Sequence, residues 1–102
     1  MDNTNMTAAT IENARIWWDD QDPQAAGWWG SYYEHRNATE MAVEHQIDSI
    51  EADEDESVEK LAPQVAAALD HLGRVTVTVM GGDVPRGRIV VDGGEVVEWR
   101  AL

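Results

Sequence analysis

The chain of 102 residues has no cysteine, no phenylalanine, only three prolines, and a single lysine among its seven basic residues. Without cysteine there is no disulfide framework and no thiolate metal site, an absence that fits a reducing compartment. No apolar run approaches membrane-spanning length. Residues 1–15 are polar and carry Asp2 and Glu12, unlike the charged start and apolar stretch of a signal peptide. A soluble, cytoplasmic chain with no membrane partner is expected. Bases are scarce overall: seven Lys and Arg against twenty Asp and Glu leave a formal charge of −13. Counterion release needs Lys and Arg over phosphate, so direct nucleic-acid binding of the usual basic kind is excluded and an anionic membrane surface is disfavoured.

What is present is enough for one small domain over residues 1–102, with an ordinary hydrophobic content of 43%. The charge is uneven. Residues 1–73 hold sixteen acids and three bases, whereas residues 74–102 hold four of each. The pattern of apolar residues changes at the same boundary, which divides the expectation into a helical acidic layer over 1–73 and a β-meander over 74–102.

From Arg74 the alternation of Val75, Val77 and Val79 with Thr76, Thr78 and Met80 reads as a half-buried strand. Residues 88–92 and 95–99, joined by Gly93-Gly94, read as a tight hairpin. Upstream, Thr7 or Thr10 is placed to cap a helix through about Trp18, with Ile11, Ala14 and Trp18 on one face. Asp19 to Pro23 ends it. A second helix carries Val43, Ile47 and Ile50, and a third carries Val58, Leu61, Val65, Leu69 and Leu72 up to Gly73. A break or bend is expected near 52–57 and an irregularity at Ala62-Pro63, with one rod or two left open over 38–72. The fold class expected is α+β, with two to three helices packed on a C-terminal three-stranded antiparallel β-meander.

On a continuous central helix, Glu40, Glu44, Asp48, Glu51, Asp55 and Glu59 would share one edge at steps of about 5–6 Å. The phosphates of one DNA strand recur about every 3.4 Å of duplex axis, so such an edge matches a phosphate row in sign and scale. Like charges at these spacings destabilise a helix, which points to a use other than helix stability. Such an edge offers its field to the basic, nucleic-acid-binding surface of a protein partner. In size, charge and lack of catalytic equipment the chain resembles the small acidic inhibitors of the DNA-mimic type carried by phages and mobile elements, among them anti-restriction and anti-CRISPR proteins. That resemblance implies a non-enzymatic inhibitor with no cofactor. A solvated acidic face on a salt-adapted structural or assembly subunit would carry the same charge.

Six of the seven aromatics fall in three adjacent pairs: Trp17 and Trp18, Trp28 and Trp29, Tyr32 and Tyr33. Adjacent residues cannot share one face, so one member of each pair is expected to be partly exposed, as a partner anchor or an oligomer interface, with a homodimer possible. A carbohydrate or other small-ligand module is the further alternative. The segment reads as helix and turn, however, whereas sugar sites sit on β-scaffolds.

The catalytic and metal constellations fail on spacing. Met41 stands where a His-x-x-Glu-His zinc motif needs its first ligand. After Asp20 and Asp22, Gln24, Ala25 and Ser31 occupy the positions that would reject an EF-hand. Residues 81–87 match no phosphate-binding loop, and no nucleophile elbow surrounds Ser31, Ser49 or Ser57. His35, His45 and His71 read as solvated helical residues. No catalytic residue, metal or cofactor is assigned.

Overall fold

The structure, a computed structural model, describes residues 10–36 and 39–102. Its strands are β1 (Thr10–Asp19), β2 (Gly27–His35), β3 (Val43–Ile47), β4 (Val75–Gly81), β5 (Val84–Asp92) and β6 (Glu95–Ala101), and its one α-helix, α1, spans Val58–Ala68. The strands form a single sheet in the order β3-β2-β1-β4-β5-β6. Only β1 and β4 run parallel; every other neighbouring pair is antiparallel.

This overturns the expected two to three helices on a three-stranded antiparallel meander, and with it the helical layer over 1–73. Of the two caps expected for the first helix, Thr7 lies outside the described residues and Thr10 opens strand β1, which takes the rest of that helix's span. The cause is local. Asn13 adopts φ 55° and the β1–β2 register shifts between Glu12 and Arg15. A bulge of this kind adds one residue to one strand, so Ile11 and Ala14, three apart, mimic a helical spacing before Ala14, Ile16 and Trp18 resume the two-residue period. The second expected helix is likewise strand β3 followed by an irregular segment. Within β3, Val43, His45 and Ile47 alternate with Glu44 and Gln46.

Helix α1 forms where its apolar stripe is continuous. Ser57 caps it, the hydroxyl accepting from the backbone N–H of Lys60 at 3.2 Å, and Glu59 lies in its first turn, favourable to the helix dipole. The helix runs through Pro63, whose side is exposed, so the irregularity expected at Ala62-Pro63 is absent. Leu61, Val65 and Leu69 are at most 1% exposed, and each such burial is worth about 1.5–3 kcal/mol.

The strands over 75–101 include the Gly93-Gly94 turn, with φ of 58° and 91°, but they are half of a larger sheet. The core lies between the helix and one face of that sheet, where Ile16, Val77, Val79, Ile89 and Val91 are fully buried. Two glycines set the spacing there. A Cβ on Gly30 would stand 2.6 Å from the Arg15 carbonyl oxygen and 2.7 Å from Ile16 Cγ2, and one on Gly87 would collide with Val58 at the start of α1. No helix among the described residues is long and apolar enough to cross a membrane.

Candidate functional site

Residues 48–57 carry the chain from the end of β3, at one side of the sheet, to α1 over β5 and β6. Residues 48–59 hold seven acids and no base. The segment is irregular, yet its main chain is fixed by side chains distant in sequence. The Trp28 indole Nε1 donates to the Asp53 carbonyl at 2.8 Å. Gln64 holds Glu51 twice, accepting from its N–H at 2.6 Å and donating to its carbonyl at 2.7 Å. The Arg86 guanidinium donates to the carbonyls of Glu54 and Glu56 and lies 5.5 Å from the centre of the Trp28 ring. Ile50, 5% exposed, anchors the segment in the core.

This arrangement spends the hydrogen bonding on backbone and leaves the acids to solvent. Asp48, Glu51, Asp53, Glu54, Asp55 and Glu59 are exposed, and among the described residues none of these carboxylates forms a salt bridge. Beside the segment a groove of about 330 Å³ is lined by Trp18, Asp20, Trp28, Glu54, Gly82 and Arg86 among others.

The six-carboxylate helical edge does not exist, because most of it is strand or irregular chain. Asp48, Glu51, Asp55 and Glu59 stay together on the crossing segment and the first turn of α1. Glu40 lies before β3. Glu44 lies on β3 at the opposite face of the sheet, where its carboxylate accepts from the Tyr33 hydroxyl at 3.3 Å. The even 5–6 Å spacing of a helical edge therefore falls away, and what remains is a compact acidic cluster to which Asp53, Glu54 and Glu56 contribute. Gln64 and Arg86, which hold the cluster in place, carry no motif.

The aromatic pairs divide between the two faces of the sheet. Trp28 and Tyr32 are 3% and 4% exposed on the helix side, and Trp18 packs edge-on against Trp28 with ring centroids 6.0 Å apart. Trp17, Trp29 and Tyr33 are half-buried on the other face, where no second layer lies among the described residues. Trp17 and Trp29 stand directly opposite each other across β1 and β2 without ring contact, and a groove of about 190 Å³ beside them is lined also by Asp19, Ser31, Glu44 and Gln46.

The same open face carries a cross-sheet row in which Gln46, Ser31, Arg15, Thr78, Arg88 and Arg100 are successive register partners. None of the three arginines forms an ion pair among the described residues. The molecule is thus acidic on the helix side and carries a basic row on the other.

The histidines are not helical. His45, on β3, stacks on Tyr32 at 5.0 Å and lies 3.0 Å from Glu34; His35, on β2, lies 3.2 Å from Glu12. His71, after α1, is within 3.2 Å of the Tyr32 hydroxyl. Burial, and then the charge of Glu34, raise the Tyr32 phenol above its ordinary value. No group of three or more metal-ligating side chains occurs among the described residues. No protein-family model, curated protein or solved structure matches the chain.

Proposed function

We propose that this chain is a non-enzymatic, cytoplasmic interaction module whose acidic segment 48–59 occupies a basic, nucleic-acid-binding surface of a partner protein. The observation that carries the reading is the division of labour in that segment: its main chain is bonded to Trp28, Gln64 and Arg86, while six of its seven acids, all but Glu56, are exposed and form no salt bridge among the described residues. Fixing the backbone before contact lowers the ordering cost of binding. Concentrated charge of one sign raises the association rate and selects a partner of the other. The adjoining groove offers Trp18 as a short-range anchor.

The test is capture of partners from cell extract by wild-type chain and by a variant with Asp53→Lys, Glu54→Lys and Asp55→Lys. The captured protein is expected to bind nucleic acid, to be released by added duplex DNA, and to be lost with the triple variant. Capture unchanged by the three reversals, or indifferent to DNA, defeats the reading.

The carbohydrate-module alternative gains one observation of its own. Trp17 and Trp29 lie on a β-scaffold after all, beside a groove with the hydroxyl of Ser31, the amide of Gln46 and the carboxylates of Asp19 and Glu44. Quenching of tryptophan fluorescence by neutral oligosaccharides, lost in Trp29→Ala, would favour it over the acidic inhibitor.

A further inference from the structure

We propose that β6 pairs edge to edge with β6 of a second copy of this chain, antiparallel and centred on Trp99. Strand β6 is the last of the sheet, and among the described residues no strand lies on its outer side. An unpaired edge presents a row of free backbone N–H and C=O groups, and protected edges are short, bulged, or guarded by lysine or proline. This one has seven residues, all exposed, with neither lysine nor proline, and its one bulge, at Val97 where the β5–β6 register shifts, leaves the run from Glu98 to Ala101 regular. Four of the seven large hydrophobics that the described residues expose lie on it or just after it: Val96, Val97, Trp99 and Leu102.

Charge selects the register. In each chain Arg88 and Arg100 stand directly opposite across β5 and β6, a like-charge pair that costs stability, and Arg100 has no ion pair. Glu98, two residues away and opposite Val90, has none either. Pairing β6 with its own copy about Trp99 sets Glu98 of each chain opposite Arg100 of the other, so the symmetry forms two complementary pairs at once. The same register sets Trp99 opposite Trp99. Shifting it by two residues in either direction loses both charge pairs and sets Arg100 opposite Arg100 or Glu98 opposite Glu98. The twofold axis is perpendicular to the sheet, so the two open faces continue side by side into one twelve-stranded surface.

The experiment is sedimentation equilibrium of the full chain at about 0.15 M salt, where charges are screened beyond about 8 Å, with far-ultraviolet circular dichroism as the check on folding. The wild type is expected to dimerise with a dissociation constant below about 100 µM. Glu98→Arg and Arg100→Glu each place like charges opposite each other at two positions and are expected to weaken dimerisation by about tenfold or more. Mixed one to one, the two variants regain both complementary pairs and are expected to form a heterodimer as strong as the wild-type dimer. The double variant E98R/R100E is expected to dimerise as the wild type does. Arg100→Glu also removes the repulsion with Arg88, so its loss of association is separable from loss of fold. A wild-type monomer up to about 500 µM, single variants that dimerise normally, or a mixture that stays monomeric would each overturn the proposal. Dimerisation sensitive to Trp29→Ala instead would assign the interface to the open face and overturn it equally.

Discussion

The two faces of the sheet are made by the same six strands, residue by alternate residue, and they end in opposite environments. On one, Ile16, Val77, Val79 and Ile89 are fully buried in the same cluster as Leu61, Val65 and Leu69. On the other, the row from Gln46 to Arg100 holds three arginines without an acid to pair them, flanked by half-buried Trp17 and Trp29. Among the described residues one α-helix of eleven residues and one crossing segment are there to cover a sheet of this width. It covers one face. The covering layer also holds most of the surplus acid, so a net charge of −13 conceals a molecule acidic on one side and basic along a row on the other.

The contrast between the two faces is greatest at neighbours that point in opposite directions. Ile89→Ala, on the buried face, is expected to cost about 2–5 kcal/mol in urea unfolding, because the cavity cannot collapse against strands on either side. Arg88→Ala, one residue away, is expected to change stability by no more than about 0.5 kcal/mol, toward greater stability, since it removes a like-charge pair. Similar losses at both positions would show that the open face is covered in solution.

A smaller effect tests how the acidic layer is held. Trp28→Phe keeps a ring in the core and removes the bond to the Asp53 carbonyl, and is expected to cost about 0.5–1.5 kcal/mol. Hydrogen exchange should quicken at the amide of Glu56, which is bonded to the same carbonyl, while the amides of β4 and β5 stay protected. Equal acceleration throughout would mean that the segment unfolds only with the whole domain.

The smallest effect concerns pH. The Tyr32 phenol titrates above its ordinary 10.0 in the folded chain, because burial and then Glu34 disfavour its anion. Below that value the phenol is neutral in both states and this group contributes no pH dependence. Above it the unfolded chain releases the proton first, so stability declines as pH rises toward the folded value. Tyr32→Phe is expected to flatten this decline above about pH 10, measured as the urea midpoint at each pH. An unaltered slope would place the cause elsewhere.

How far the sequence could be read depended on how local each signal was. The Val75 to Val79 alternation, the Gly93-Gly94 pair and the stripe from Val58 to Leu69 each express a period that neighbouring residues set. The stretches up to Trp18 and from Val43 to Ile50 read as helical because one bulge at Asn13 and the end of β3 at Ile47 turn two-residue periods into spacings of three. The adjacent aromatic pairs were legible in part: neighbours cannot share a face, and Trp28 and Tyr32 are buried while Trp29 and Tyr33 are half-exposed. Which face each would take depended on strand pairing. The acidic site was legible as composition over 48–59 but not as geometry, since its shape rests on Trp28, Gln64 and Arg86, none near it in any local pattern.

The quantity of charge, its concentration in residues 1–73, the turn at Gly93-Gly94 and the apolar stripe of α1 follow from composition or from contacts between near neighbours. The tertiary structure alone decided that β1 lies parallel to β4 at the centre of the sheet, that Arg15, Arg88 and Arg100 share one row, and that the acids of the crossing segment face solvent. Those outcomes depend on pairing between residues tens of positions apart, and the free energy of such pairing belongs to the assembled sheet rather than to any stretch of the chain.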